Sequence, residues 1–378
     1  MDELKEEFKK QIHKFGKLEI DPIMEEDDHN EVFRMSLFKK LGELGLAGIT
    51  MPEIYQGLGL DFRFNCFSLK ELAKYSVPYA VTLSVSSMVQ NIIFDFCHEK
   101  QKLKYLPELA SGAEIGAFAL TESDSGSDAA SLKTTAKRTK KGYLLNGTKI
   151  FITSGSVAKT FIVMARTSHS GTQGISAFIV QKGHPGFATG KSERKMGWRT
   201  SPTTELIFEN CLLPFDSLIG DEGEGFKVAK KGLEKGRISI GAIAVGLAER
   251  ALEESVKFAK GREQFGKPIF DLQGLQFMMS DMATETMASW SLVEAAAKAY
   301  DEKSPSRECR MLGSMAKLKA TDTAMKVTTD AVQVFGGVGY TSEFPVERYM
   351  RDAKVLQIVE GTNQIQKVLI GAALRHKY

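Results

Sequence analysis

Ile358-Val359-Glu360-Gly361-Thr362-Asn363-Gln364-Ile365-Gln366 sets a lone carboxylate behind two apolar residues and just ahead of a helix start. Thr362 has the chemistry of an N-cap, and Ile365, Val368 and Ala372 then recur on one helical face. The helix N-terminus favours the charged form of Glu360, whereas desolvation favours the neutral form and makes the carboxylate a stronger base. A carboxylate in a dry pocket at this point could take a proton from a weak carbon acid. Taken alone, the stretch reads as a solvated Glu beside a helix dipole, so its meaning depends on the rest of the chain.

Toward the N-terminus from this stretch, helical periodicity persists back to about residue 222. Val245, Ala248, Leu252, Val256 and Ala259 form an apolar stripe, with Glu249, Arg250, Glu253 and Lys257 on the other face. Several such helices with short Gly or Pro interruptions predict an antiparallel bundle. Between about Ala113 and Asp221 the texture changes to short β runs. Phe161 to Ala165 and Ile175 to Val180 read as strands, as does the segment holding Leu206 and Phe208, and Asn146-Gly147 predicts a tight hairpin turn. Residues 1–112 read as helices, with Phe33, Leu37 and Leu41 at helical spacing and a Gly-rich break at Pro52 to Gly59. Helices, then strands, then a bundle make an α+β chain.

Composition excludes little but points away from some classes. The chain has 378 residues, enough for two or three domains, and a net charge of +3 with Lys and Arg spread along it. A nucleic-acid binder would concentrate that charge, so none is expected. The four Cys and six His are scattered without metal-ligand spacing, and no metal is expected. Apolar runs such as Ile238 to Leu247 are too short to cross a bilayer. The N-terminus resembles neither a signal nor a transit peptide, which suggests a cytoplasmic bacterial-type protein or an organelle enzyme already trimmed.

Four further segments accompany the Glu360 stretch. They are Ala117 to Asp128 (AFALTESDSGSD), Asn146 to Gly155 (NGTKIFITSG), Lys195 to Cys211, and Arg262 to Pro268 (REQFGKP) with Gln273 and the Gln333 to Gly337 turn beyond. Together, in this order, they resemble the acyl-CoA dehydrogenases, FAD enzymes that place a 2,3 double bond in acyl-CoA thioesters. The resemblance spans essentially the whole chain. It implies an N-terminal helical domain (1–112), a middle β-barrel-like domain (113–221) and a C-terminal four-helix bundle domain (222–378), with FAD where they meet.

The resemblance also implies roles. Glu360 would be the base for the α-proton, with the β-hydride passing to flavin N5 and a trans-2-enoyl-CoA as product. The alternative family position for a base matches Gly236, which has no side chain to offer. Phe118, Leu120 and Thr121 would reach the flavin edge, and Phe151, Ile152 and Thr153 would cover its face. Thr362, Asn363 and Gln364 would bind FAD at the helix start. Ser127 would touch FAD or the CoA pyrophosphate, and Glu234, Arg237 and Gly361 would face acyl-CoA. Arg262, Phe265, Gln273, Gln333, Val334, Gly336 and Gly337 would reach FAD in a neighbouring subunit, which implies a homotetramer built as a dimer of dimers. Ser123, Asp124 and Ser125 depart from the family's usual Pro-Gly-Ala, with an additional acid near the nucleotide.

Ala80 stands where members acting on glutaryl-CoA carry Arg, and Thr82, Ser84, Ser86 and Ser87 are small. A short or medium chain is therefore favoured, with branched or cyclic acyl groups as variants. Electron-transfer flavoprotein is the expected electron acceptor. The rival readings are an acyl-CoA oxidase, a flavin monooxygenase (which usually lacks the Glu) and a non-enzymatic CoA-binding helical protein.

Overall fold

The computed structural model describes residues 2–302 and 306–378. Six helices come first: α1 Asp2–Phe15, α2 Met24–Asn30, α3 Met35–Glu43, α4 Phe62–Ala73, α5 Val77–Phe96 and α6 Glu99–Ala110. Strands follow as β1 Gly116–Ala119, β2 Thr135–Arg138, β3 Tyr143–Thr153, β4 Thr160–Arg166, β5 Ile175–Gln181, β6 Phe187–Ser192, β7 Thr203–Leu213 and β8 Leu218–Ile219. The C-terminal part holds α7 Gly225–Gly261, a small hairpin of β9 Glu263–Gln264 and β10 Lys267–Pro268, then α8 Gln273–Glu302, α9 Arg307–Phe335, α10 Val346–Leu356 and α11 Asn363–Lys377. This is the helix, sheet, helix plan that the sequence implied.

Local chemistry explains the principal boundaries. Asp61 caps α4 by accepting from the Phe64 N–H, and Ser76 caps α5 by accepting from the Tyr79 N–H. α5 is apolar on nearly every face and is buried accordingly. Unlike the shorter apolar run at 238–247, it could cross a membrane by length and composition, yet 83% of its most apolar window is covered by the fold. It is a core helix.

The eight-stranded sheet runs β6-β7-β3-β2-β4-β5-β8, with β1 pairing in parallel to β4. The expected hairpin turn at Asn146-Gly147 is absent: β3 runs straight through it. Gly147 instead sits at a bulge against β7, with φ +143, and a Cβ there would meet Thr134 Oγ1 at 2.5 Å. The actual β2–β3 turn is formed by residues 139–142, closed by the Thr139 N–H donating to Gly142 O.

α7 runs through the middle of the helical part and packs on α4, α5, α8, α9 and α10. Gly246 permits this, because a Cβ there would lie 2.1 Å from the Lys70 carbonyl oxygen of α4. A buried charge network reinforces the same junction. Glu71 bonds Lys70 and His13, each at 2.7 Å, while Lys70 and Lys74 also reach Glu249, and Lys74 reaches Glu253. These bonds hold the Glu71 carboxyl down to about 2 against the opposing effect of burial.

The middle and C-terminal parts are tied by Asp352, which accepts from the Trp198 N–H at 2.6 Å. Arg351 donates to the Met196 carbonyl at 3.0 Å and to Asp28 of α2 at 2.7 Å, linking all three parts. The predicted apolar stripe of α11 is not buried: Val368 is 64% exposed and Ala372 is exposed as well, while polar Gln366 takes the inner position. Among the described residues, nothing covers that face. All four Cys are buried and free.

Candidate active site

Glu360 stands on a tight turn between α10 and α11, with φ +56, and Gly361 follows with φ +86. A left-handed Glu is strained by about 1–3 kcal/mol, so its surroundings must enforce it. They do so through three side chains. Gln366 of α11 donates to the Glu360 carbonyl at 3.2 Å and the Gly361 carbonyl at 2.8 Å. Lys317 of α9 donates to the Gly361 carbonyl at 3.1 Å and to Asn363 Oδ1 at 2.7 Å. Thr362 caps α11 as expected, accepting from the Ile365 N–H.

The Glu360 side chain turns toward α7. A Cβ built on Gly236 would lie 2.5 Å from Glu360 Oε2 and 2.8 Å from Met88 Cε, so carboxylate and thioether occupy the space that a side chain at 236 would take. Although Glu360 is partly exposed as a residue, its Oε2 is buried and has no hydrogen-bond partner. Burial pushes its pKa up to about 7, while Arg237 and Lys317 pull the other way. Burial therefore outweighs the two facing cations in the free protein. Arg237 has its own buried, unpartnered Nε and faces both Glu360 and Glu234. Two unsatisfied groups at one place point to a missing ligand.

A second group of predicted residues gathers at the edge of the sheet. The Ile150 N–H donates to the Thr121 carbonyl at 2.9 Å. Fully buried Lys149 donates to the Leu120 carbonyl at 3.0 Å and to Glu122 at 2.7 Å. These bonds lock the segment 118–122 onto β3 beside Phe151, Ile152 and Thr153. Phe151 projects from a backbone with φ +56 and is 59% exposed, whereas Ile152 is buried. An aromatic ring held out on strained backbone, next to buried Ser154 and Thr204 hydroxyls without partners, suits a flat heteroaromatic cofactor. Ser127 is exposed on the loop beyond.

Thr362, Asn363 and Gln364 border a hollow of about 200 Å³ shared with Asp322, Lys354 and Gln357. Asn363 is buried, and its side chain is saturated inside the bundle by Lys317, Thr321 and Asp322. Any cofactor contact at that position falls to its neighbours. The Lys317–Asn363 support was not foreseen, because Lys317 lies 43 residues away in an otherwise ordinary helical pattern.

Arg262, Phe265, Gln273 and the Gln333 to Gly337 turn form a third group. Stacking of Phe258 on Phe335, centroids 4.1 Å apart, brings their elements together. Phe265 is 90% exposed, Arg262, Gln273, Gln333, Gly336 and Gly337 are exposed too, and Val334 is buried. At the rise of an α-helix, Arg262 lies about 39 Å along α7 from Gly236. One chain does not bring this group to Glu360.

Comparison with known proteins agrees with this geometry. Family models for the acyl-CoA dehydrogenase N-terminal, middle and C-terminal domains match residues 2–113, 117–211 and 223–375. An acyl-CoA dehydrogenase of Bacillus subtilis (strain 168) is 48% identical over 97% of this chain and 96% of its own length. An acryloyl-CoA reductase (NADH) of Anaerotignum propionicum is 44% identical over 97% and 93%. The structure of butyryl-CoA dehydrogenase from Megasphaera elsdenii matches with TM-score 0.95 and 43% identity, covering 98% of each chain. A chain from a structure named for the electron transferring flavoprotein of Acidaminococcus fermentans matches with TM-score 0.96 and 47% identity, covering 98% of this chain and 97% of that one. The residues at the sheet edge fit the FAD that this family uses. The chain belongs to the acyl-CoA dehydrogenase family and is an FAD-dependent oxidoreductase acting on acyl-CoA.

Proposed function

We propose that the enzyme removes hydrogen from Cα and Cβ of a short-chain acyl-CoA, with Glu360 taking the α-proton. The observation that carries this reading is the buried, unpartnered Oε2 of Glu360, whose pKa of about 7 suits a base at neutral pH. Among the described residues, the backbone N–H groups of Glu360 and Gly361 have no partner in the fold, so they are free to donate to the thioester carbonyl as charge develops there. Arg237 would tether the substrate from α7. Met88 helps to keep water from the carboxylate. Bound FAD would accept the β-hydride; Phe118, Leu120, Thr121, Phe151, Ile152, Thr153, Thr362 and Gln364 would hold it.

The separation between the Glu360 site and the Arg262, Phe265 and Gln333 group supports a homotetramer in which a neighbouring copy completes each cofactor site. Exposed Val368, Leu369 and Leu374 on α11, with Tyr340, offer apolar surface for such contacts. Electron-transfer flavoprotein is the acceptor this reading favours, and the cytoplasm is its compartment. The acryloyl-CoA reductase among the relatives supports a second direction, in which protonated Glu360 returns its proton to Cα. The electron partner would decide between the two.

The test is anaerobic mixing of the flavin-loaded enzyme with butanoyl-, hexanoyl-, octanoyl-, branched and dicarboxylic acyl-CoA. Flavin colour should fade fastest with butanoyl- or hexanoyl-CoA, and turnover in air should be negligible without an added acceptor. Fading with none of them, or fastest with a dicarboxylic thioester, would overturn the proposal. Rapid turnover in air would make the enzyme an oxidase.

A further inference from the structure

Lys317 is 0% exposed, and its ammonium is inserted behind the turn that carries Glu360. It reaches the Gly361 carbonyl at 3.1 Å and Asn363 Oδ1 at 2.7 Å. Asn363 is itself fixed from its other end, donating to Asp322 at 2.7 Å and Thr321 at 3.0 Å. Gly361 and Asn363, on the turn after Glu360, are therefore bolted to α9. A neutral donor could satisfy one carbonyl and one amide oxygen, so burying a full charge there needs a further reason.

Glu360 supplies that reason. Lys317 from α9 and Arg237 from α7 are the charged groups that act on it, and the Met88 thioether of α5 lies beside it at Gly236. Lys317 in turn faces Glu360, Asp322 and Arg237. We propose that Lys317 is a positioning residue for the reaction, fixing the turn that presents Glu360 and lending the carboxylate a facing positive charge. This rests on Glu360 being the base. The charge opposes the burial of Glu360, so about half of the base stays ionised at pH 7 instead of idling as a neutral acid. Burial lowers the ammonium's own pKa to about 8, yet it remains mostly charged at pH 7.

The test compares wild type, Lys317→Met, Lys317→Gln and Lys317→Arg as flavin-loaded enzymes. One readout is the pH midpoint of anaerobic flavin reduction. The other needs no turnover: proton uptake on binding a non-reacting acyl-CoA thioether, measured by calorimetry in buffers of different ionisation enthalpy. Removing a facing cation should raise both midpoints by about one pH unit in the Met and Gln variants and slow reduction at pH 7 about fivefold. The Arg variant should keep the wild-type midpoint. Wild-type midpoints in the Met or Gln variant would overturn the proposal. It would also be overturned if the Arg variant, which keeps the charge, shifted both midpoints as far as the Met and Gln variants do, since the facing charge would then not set them. A separate Glu360→Gln control keeps the two ideas apart. If that variant reduces flavin at the wild-type rate, the base itself is misassigned; if it is inactive while the Lys317 variants behave normally, only the role of Lys317 fails.

Discussion

The Cβ that Gly236 lacks would stand 2.5 Å from Glu360 Oε2 and 2.8 Å from its Cδ. Residue 236 thus leaves the space in which the carboxylate lies, and one added methyl group has nowhere to go. The backbone of α7 cannot retreat, because Gly241 and Gly246 farther along already sit against α9 and α4. The carboxylate must move instead.

Gly236→Ala should therefore retain flavin and fold while slowing anaerobic flavin reduction about a hundredfold, the cost of misplacing a base by roughly 1 Å. Stopped-flow absorbance measures it. A rate within threefold of wild type would show that the carboxylate works from another position.

Glu360 costs stability when ionised. Its pKa is raised in the fold, so the folded state holds a proton that the unfolded chain has lost between pH 4.5 and 7. Stability falls as pH rises through that window and then levels off. Glu360→Gln should be more stable than wild type at pH 8 by up to about 3 kcal/mol, with the difference shrinking toward pH 4.5. Denaturant titration at several pH values checks the sign and the window.

Glu71 has the opposite sign. Its lowered pKa, about 2 in the fold, adds stability above pH 4.5 that is lost as pH falls toward 2. Glu71→Gln should cost about 3 kcal/mol at pH 7, because it removes the buried carboxylate shared by Lys70, Lys74 and His13 and leaves Glu249 and Glu253 to balance the two ammoniums. The rate of flavin reduction should be unchanged. Thermal unfolding alongside the kinetic assay separates the two effects.

Phe151 makes little packing contact yet sits on a strained backbone. Phe151→Leu should loosen flavin by about tenfold, read as flavin lost on dilution, because a stacking aromatic ring is worth up to about 1.5 kcal/mol. Far-ultraviolet circular dichroism should not change. Unaltered flavin retention would remove Phe151 from the cofactor site.

The broad plan was legible because periodicity reports burial: the stripes of α7 and the branched, aromatic runs of β4 and β5 read directly from the sequence. Asn146-Gly147 misled because the same dipeptide that favours a two-residue turn also relieves a bulge, and only pairing with β7 distinguishes the two. Val368 and Ala372 on α11 misled differently, since an apolar stripe does not say whether its cover comes from the same chain. At the site, Glu360 and its Thr362 cap were readable as one local motif. Lys317 and Met88 were not, because they meet Glu360 through contacts 43 and 272 residues away along the chain.

The central claim is that the Glu360 carboxylate takes the α-proton. It is tested most directly by mixing flavin-loaded Glu360→Gln anaerobically with the preferred acyl-CoA and following flavin absorbance. The account predicts a yellow variant that binds the thioester normally but whose flavin is reduced at least a hundredfold more slowly than wild type. Reduction at the wild-type rate would contradict it.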